Sequence, residues 1–333
     1  MYNLIAIFCI LSFFLLFLVA ITSYKFNLLD VPNKRKNHAN PTAYTGGIAL
    51  SLIYIFSILL FDITGRNLNL ILSISFLIAI VGFIDDKYHL SVGSKLGLQI
   101  IPIFYLIIFE NLGLSQLGDY GFFKIKLGTF SIPFTLLSVL FLINAFNYFD
   151  GTDGTLGFTT ISTLAILYFL ISDENIRLFF VIISIPICIF LFFNFSFFKL
   201  PKLFMGDSGS LLLGFIISFL SIYLVNKNII HPILIAWSIQ IFVYEFISIN
   251  LIRLKNKKKL FKAGQDHLHH LLIKKTKSIF LTNFFISISN IILFIIGYTS
   301  FKFISSIASL MLFIAFFIIF FILRIKYFAL SNR

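Results

Sequence analysis

The sequence predicts an all-α fold, a polytopic bundle of about eleven transmembrane helices. Of its 333 residues, 59% are hydrophobic and 12% are charged, whereas soluble domains carry about a quarter charged residues. The mean hydropathy is +1.02, and Phe alone contributes 46 residues. A chain of this composition cannot bury its apolar surface in one soluble core, so it needs lipid as its solvent.

The apolar stretches between charged residues give the position of each predicted helix. A transmembrane helix needs roughly 20 apolar residues, and eleven stretches approach or exceed that length. They cover residues 2–24, 46–61, 67–84, 96–109, 130–149, 156–172, 178–198, 209–226, 229–252, 279–301 and 303–323. The stretch 96–109 is the shortest and ends against Glu110, and the stretch 229–252 contains Glu245. We expect one integral membrane domain over residues 1–333.

The uneven distribution of basic residues predicts the orientation, because Lys and Arg accumulate in cytoplasmic connections. One alternating set of connections holds 20 of the 26 Lys and Arg residues. It comprises residues 25–45, 85–95, 143–155, 199–208, 253–278 and the C-terminus. We expect this set to be cytoplasmic, with the N-terminus outside and the C-terminus inside. The net charge of +13 is then a topology signal, and we expect no nucleic-acid partner.

The polar side chains that could support chemistry gather on the predicted cytoplasmic side. They lie in the connections at about 25–46, 85–95, 144–156, 199–210 and 253–278. A transporter places ionisable groups near the membrane midplane, where Glu245 is the one weak candidate. A lipid or solute transporter is therefore the less favoured alternative, and a non-catalytic scaffold does not explain so many acids. The one-sided distribution favours an enzyme that joins a water-soluble substrate to a lipid.

Two of these clusters carry carboxylates near glycines. Asp85 and Asp86 end the third predicted span, where adjacent acids repel unless a cation or proton intervenes. They suit a Mg²⁺ or general-base site, and a solvated loop is the alternative. Asp207 follows Gly206 just before an apolar span. Mg²⁺ prefers one or two carboxylates plus substrate phosphates, although Asp207 or Ser208 could instead cap a helix.

A third cluster consists of Asn144, Asn147, Asp150 and Asp153, spaced by three residues with glycines between them. If the fifth helix continues through the two asparagines, they share one face. Carbonyl and carboxylate oxygens at this spacing suit a hydroxylated substrate that carries a base. A polar helix cap and turn is the alternative.

Histidines and cations form the last two clusters. His267, His269 and His270 follow a lysine-rich run, and zinc is one candidate ligand for them. They have no neighbouring cysteine and no His-Glu-x-x-His pattern, so contact with phosphate is the alternative. Arg35 and His38 lie in the first connection, where topology alone could account for the charges.

In this order, the motifs resemble those of the polyprenyl-phosphate N-acetylhexosamine-1-phosphate transferases. The resemblance covers residues 30 to about 272, and its most distinctive strings are Asn-x-x-Asn-x-x-Asp-Gly-x-Asp-Gly from Asn144 and Phe-Met-Gly-Asp-x-Gly-Ser from Phe204. The chain is most similar to the undecaprenyl-phosphate GlcNAc-1-phosphate transferase branch, whose sister group is the phospho-MurNAc-pentapeptide translocase. The resemblance implies transfer of GlcNAc-1-phosphate from a UDP-sugar to undecaprenyl phosphate, with release of UMP. This would be the first membrane step of a cell-surface polysaccharide such as an O-antigen.

The resemblance also implies a role for individual residues. Asp207 is the expected Mg²⁺ ligand, with Asp150 as a second ligand and Mn²⁺ as an alternative ion. Phe204 is expected to stack near the uracil. The expected contacts to the nucleotide sugar are Asn144, Asn147, Asp150 and Asp153.

The remaining roles concern the phosphates. Asp85 and Asp86 are expected to engage the lipid phosphate, with Asp85 as a general base. The side chains expected to contact the diphosphate are Arg35, His38, His267, His269 and His270. The chain departs from the family at His89, which stands where a third acid is usual.

The resemblance further implies a bacterial cytoplasmic membrane protein whose active site faces the cytoplasm. The identity of the sugar and of the downstream polymer stays open. The alternatives within the enzyme class are the pentapeptide translocase and a transferase for another UDP-N-acetylhexosamine. The oligomeric state also stays open, with a homodimer as one option.

Overall fold

A computed structural model describes residues 2–32, 40–61, 65–257 and 267–331. Within these ranges the chain forms thirteen α-helices and four short strands. The helices are α1 Tyr2–Lys25, α2 Gly46–Leu60, α3 Arg66–Tyr88, α4 Val92–Ile108, α5 Ser131–Phe149, α6 Thr155–Leu170, α7 Glu174–Asn194, α8 Gly206–Asn226, α9 Pro232–Ser238, α10 Gln240–Lys255, α11 Leu268–Thr276, α12 Ile279–Phe303 and α13 Ser306–Ser331. The strands form two antiparallel pairs, β1 Leu29–Asp30 with β2 Thr42–Ala43 and β3 Gln116–Asp119 with β4 Lys124–Lys126.

Each of the eleven predicted segments is helical in the structure. Seven helices are long and apolar enough to cross a membrane, and α9 and α10 together form an eighth candidate span. The remaining three segments are the shorter apolar helices α2, α4 and α6. The predicted fold class, a polytopic helical membrane protein, is confirmed. The predicted orientation stays a prediction.

The ninth predicted segment is broken into two helices, α9 and α10, which meet at an angle of 73°. A break in an apolar environment frees backbone carbonyls, which then need other donors. The carbonyl of Ser238, the last residue of α9, accepts hydrogen bonds from Thr163 Oγ1 at 3.0 Å and from Asn290 Nδ2 at 3.3 Å. Side chains of α6 and α12 therefore satisfy the backbone at the break.

The chain folds into two compact units, each made of two separate segments of sequence. The first unit comprises Met1–Asn111 and Ser172–Leu220, and the second comprises Leu112–Ile171 and Ser221–Arg333. The first unit holds α1 to α4, α7 and most of α8, and in it α2 packs against α3 and α1. The second holds α5, α6 and α9 to α13, and in it α12 packs against α6 and α9.

Within the first unit, α3 lies directly against the start of α8. A Cβ atom at Gly82 of α3 would lie 2.4 Å from the backbone nitrogen of Ser208 and 2.5 Å from the carbonyl of Asp207. Only glycine allows this approach. The contact brings the end of α3, with Asp85 and Asp86, beside the first turn of α8.

Candidate active site

The acidic cluster of the first unit consists of Asp85, Asp86, Lys95 and Asp207. The two adjacent aspartates lie in the last turn of α3, and His89, which follows this helix, is in a left-handed conformation with φ 52°. Asp207 lies in the first turn of α8. The structure therefore brings together three carboxylates that the sequence placed in two separate connections.

The Asp86 carboxylate caps α8 from the neighbouring helix. Its Oδ1 accepts the backbone N–H of Asp207 at 3.1 Å, and its Oδ2 accepts that of Ser208 at 3.3 Å. The first N–H groups of a helix have no partner within the helix, and a negative charge near them is favourable. The sequence suggested that Asp207 or Ser208 could be the cap, whereas the structure uses Asp86.

Lys95 links the other two carboxylates. Its Nζ lies 2.8 Å from Asp85 Oδ2 and also bonds to Asp207 Oδ2. The Lys95 side chain is 14% exposed, so the ammonium is largely removed from water. Asp85 is held a second time, because its Oδ1 accepts the N–H of Leu90 at 2.8 Å. An ammonium that pairs with two partly buried acids offsets most of their repulsion.

Sequence reasoning missed Lys95, because it counted this residue among the basic residues that set topology. A signal was available in the local sequence. Ser91 caps α4, since its Oγ accepts the N–H of Ser94 at 3.2 Å, and Lys95 follows within the first turn. A cation is unfavourable at a helix N-terminus, so a lysine there suggests a nearby acid.

A divalent cation at the acidic cluster stays a prediction, and carboxylates are the type of ligand that Mg²⁺ prefers. Two carboxylate oxygens, Asp85 Oδ2 and Asp207 Oδ2, already converge on one positive charge. Within the described parts of the chain, no group of three or more His, Cys, Asp or Glu residues could hold a metal ion. Mg²⁺ commonly takes one or two carboxylates and completes its shell with water and substrate phosphates. The second predicted ligand, Asp150, belongs to the other unit, and its pairing with Asp207 stays a prediction.

The segment around Phe204 is held by the backbone that precedes α2. The N–H of Phe204 donates to the Ala43 carbonyl at 2.7 Å, and the Phe204 carbonyl accepts the N–H of Gly46 at 3.0 Å. The Phe204 ring is half-buried, and Lys202 Nζ lies 5.3 Å from its centre. The residues around the start of α2 therefore support the Phe204 segment, and the predicted stacking of Phe204 on a base stays a prediction.

In the second unit, Asn144, Asn147, Asp150 and Asp153 surround the end of α5. Asn144 is buried, and its Nδ2 donates to the Leu140 carbonyl of its own helix at 2.7 Å. This bond stays within α5, so Asn144 is neither a helix cap nor part of a turn, and its predicted contact with the nucleotide sugar stays a prediction. Asn147, Asp150 and Asp153 are half-buried, and their predicted substrate contacts stay predictions.

The loop after α5 is anchored by α12. Asn283 Nδ2 donates to the Asp153 carbonyl at 2.8 Å, and Asn283 Oδ1 accepts a hydrogen bond from Thr155 Oγ1 at 2.7 Å. Thr155 in turn bonds to Thr152 at 2.6 Å. Asn283 is fully buried, so the loop that carries Asp153 has a fixed support.

The histidine cluster of the second unit consists of His267, His269 and His270. Their ring centres lie 5.8 Å apart for His267 and His269, 4.3 Å for His269 and His270, and 6.5 Å for His267 and His270. The structure therefore brings the three predicted side chains together. His267 precedes α11 in an extended conformation, so the three residues do not share one regular helix.

His269 is the most buried member of this cluster, with 1% of its surface exposed. Burial lowers the pKa of its imidazole well below the usual value, and the neighbouring His270, His267 and Arg324 act in the same direction. The ring is therefore neutral near pH 7. Its Nε2 is buried and makes no hydrogen bond to the described residues. A Cβ atom added to Gly151 would lie 2.3 Å from this nitrogen. The loop after α5 therefore packs directly on the imidazole.

Two of the residues singled out in the sequence, Arg35 and His38, lie outside the described residues. The predicted roles of Arg35 and His38 stay predictions.

Comparison with known proteins shows that part of the chain matches a described family. Residues 68–225 match the family described as glycosyl transferase family 4. The matched range includes the acidic cluster, Phe204 and the loop after α5, and it ends before the histidine cluster.

Relatives of similar length come from several bacteria. The chain is 27% identical over 279 residues to the undecaprenyl-phosphate alpha-N-acetylglucosaminyl 1-phosphate transferase of Escherichia coli O157:H7, covering 82% of this chain and 76% of the relative. The protein of the same name from Yersinia pestis is 28% identical over 266 residues, which is 78% of this chain and 73% of the relative. A protein of Bacillus subtilis (strain 168), named probable undecaprenyl-phosphate N-acetylglucosaminyl 1-phosphate transferase, is 29% identical over 292 residues, covering 81% and 78%.

Proposed function

Because the chain belongs to glycosyl transferase family 4, we propose that it transfers GlcNAc-1-phosphate from UDP-GlcNAc to undecaprenyl phosphate and releases UMP. The names of the bacterial relatives support both the transferred group and the lipid acceptor. The motif resemblance supports the UDP-linked donor. The product would enter the synthesis of a cell-surface polysaccharide.

The observation that carries this proposal is the pairing of Lys95 with Asp85 and Asp207, inside the range that matches the family. The reaction joins two anions, so its barrier depends mainly on positioning and on charge neutralisation. The cluster offers an ammonium and carboxylates suited to a cation, largely shielded from water. Such groups act more strongly there than in bulk water.

In the proposed reaction, an oxygen of the lipid phosphate attacks the β-phosphorus of the UDP-sugar. The bond from that phosphorus to the bridging oxygen breaks, and UMP leaves with this oxygen. A phosphate monoester already has much dianion character near neutral pH, because its second pKa is about 6. Asp85, held by Lys95 and by the Leu90 N–H, therefore orients a substrate and need not take a proton. We infer a single in-line displacement without a phosphorylated aspartate.

Mg²⁺ bound through Asp207 would neutralise charge on the diphosphate. Lys95 carries a second positive charge beside the same carboxylate. In the second unit, the imidazoles of the histidine cluster can hydrogen-bond phosphate oxygens. Asn147, Asp150 and Asp153 can contact the nucleotide sugar. Phe204 is assigned to the uracil by its motif alone.

The test uses membranes that contain the protein, incubated with undecaprenyl phosphate, Mg²⁺ and radiolabelled UDP-GlcNAc. We expect label in the organic extract that disappears when Mg²⁺ is chelated and returns when Mg²⁺ or Mn²⁺ is added. Label that persists without a divalent cation would refute the requirement for Mg²⁺ but would still support the transfer reaction. Label that appears only with UDP-MurNAc-pentapeptide or another UDP-sugar would change the donor. No label with any donor would refute the function.

The proposed orientation can be tested separately. The chain is a multi-pass membrane protein, and we propose that the acidic cluster faces the cytoplasm. In a variant with Cys9 and Cys188 replaced by serine, a cysteine at Lys87 should react with a membrane-impermeant maleimide only after the cells are lysed. A cysteine at Lys124, in β4, should react in intact spheroplasts. The reverse pattern would contradict the orientation.

A further inference from the structure

A buried ion pair joins α13, the last helix of the second unit, to Glu245 on α10. Arg324 on α13 donates from Nε to Glu245 Oε2 at 2.8 Å and from Nη2 to Glu245 Oε1 at 2.7 Å. The two side chains are 2% and 1% exposed. A bidentate pair of this kind fixes the relative orientation of its two groups as well as their separation.

The same carboxylate holds the start of α11. Glu245 Oε1 accepts the N–H of Leu268, the first residue of α11, at 2.9 Å, and lies 3.9 Å from His267 Nδ1. The first N–H groups of a helix lack partners within it, and a negative charge is favourable at that end. Glu245 therefore caps α11 from another helix, one residue before His269.

Arg324 allows Glu245 to cap α11 while its carboxylate stays ionised. A carboxylate that is 1% exposed is strongly destabilised unless a cation and hydrogen bonds compensate it. Arg324 supplies the charge and two of the hydrogen bonds. Without the guanidinium, Glu245 must either take up a proton or move toward water, and both changes weaken its bond to Leu268.

We propose that Arg324 is a positioning residue for the histidine cluster, acting through Glu245 and the Leu268 N–H to fix the place of His269. The effect on the reaction rate rests on the proposed function, whereas the effect on the position of His269 does not. The last helix thereby takes a role in the reaction.

The structural part is tested with purified, full-length Arg324→Gln, and with Lys326→Gln as a matched control on an exposed position of the same helix. Each protein is treated with diethyl pyrocarbonate, and the modification of each histidine is followed by mass spectrometry. We expect His269 to react several-fold faster in Arg324→Gln and unchanged in Lys326→Gln. His231, half-buried in the same unit, is the internal reference and should not change. Unchanged reactivity of His269, or an equal increase at His231, would overturn the proposal.

The kinetic part uses transfer of label to undecaprenyl phosphate and a double-mutant cycle with His269→Gln. We expect each single variant to lower kcat by about tenfold or more with little change in KM, and the double variant to be no slower than the worse single variant. Multiplied losses would show that Arg324 acts independently of His269 and would overturn the proposal. Arg324→Lys should recover part of the rate.

The experiments also separate failure of this proposal from failure of the proposed function and from misfolding of the variant. If wild-type protein transfers no label from any donor, the function is wrong, and the histidine modification still decides the structural part. If Arg324→Gln does not fold, Glu245→Gln removes the negative charge of the same ion pair and keeps the shape of the side chain. We expect faster modification of His269 in that variant as well, and an unchanged rate would overturn the proposal.

Discussion

In the first unit, three carboxylates are balanced by one ammonium and by the N–H groups of a helix end. In the second unit, three imidazoles lie against each other and against a glycine, and the most buried one is neutral. The first arrangement is held by charge, and the second by close packing. The acidic cluster and the histidine cluster should therefore fail in different ways when a single residue is changed.

The largest effect is expected for Lys95→Met, which leaves two partly buried carboxylates without their shared cation. Removing one partner of a buried ion pair costs about 3–5 kcal/mol, and the 28% exposure of Asp207 places this case near the lower end. We expect transfer of label to fall by at least about a hundredfold. Lys87→Met, at an exposed position at the end of α3, is the control and should keep its rate. Equal transfer rates in the two variants would show that Lys95 has no role in the reaction.

Gly151→Ala tests the packing of the second unit. The new Cβ would lie 2.3 Å from His269 Nε2, so the loop or the imidazole must move. A displacement of this size near a reacting group typically lowers the rate by about a hundredfold. The control is Gly97→Ala, because nothing lies within 4 Å of a Cβ there. A wild-type kcat in Gly151→Ala would show that the position of His269 does not matter.

The buried imidazole also predicts a pH dependence of stability. Burial lowers the pKa of His269 in the folded protein, whereas the unfolded value is about 6.5. Between these two values the unfolded chain binds more protons, so the contribution of His269 to stability is full above about pH 6.5 and is lost as the pH falls. We expect the unfolding temperature to decrease on acidification, and to decrease less in His269→Gln. Identical pH profiles would contradict the burial argument.

The smallest effect is expected for Asp86→Asn. The carboxylate caps α8, and an amide oxygen can still accept a hydrogen bond from the helix N-terminus. Loss of a cap costs about 1 kcal/mol, and asparagine replaces aspartate well in this role. We expect a modest decrease in thermal stability and a rate within about tenfold of wild type. A complete loss of activity in a folded variant would indicate that Asp86 contacts substrate, as the family resemblance implied.

Much of the fold could be predicted because a backbone in lipid must satisfy its own hydrogen bonds, which strongly favours helices. Each of the eleven apolar stretches is helical, but α2, α4 and α6 are shorter than the other spans, and the ninth stretch is broken between α9 and α10. That break depends on Thr163 and Asn290, which lie far from it in sequence, so the local apolar pattern could not reveal it.

The site was predicted in part. The sequence identified the acids and the histidines by type and spacing, but it could not assign a partner to each. Lys95 was counted as a topology signal because its two acidic partners lie on other helices. Glu245 was noted as an acid within a span and as a weak transporter candidate, although it pairs with Arg324, 79 residues away. Such long-range pairs follow from packing, which a single sequence does not specify.

The central claim is that Asp207 serves the transfer of GlcNAc-1-phosphate to a lipid phosphate. The most direct test compares purified wild-type protein, Asp207→Asn, and Asp119→Asn in the β3–β4 hairpin, by counting label moved from UDP-GlcNAc to undecaprenyl phosphate at saturating Mg²⁺. We expect transfer by wild type and Asp119→Asn and none by Asp207→Asn, with all three proteins folded. Wild-type transfer by Asp207→Asn would contradict the account.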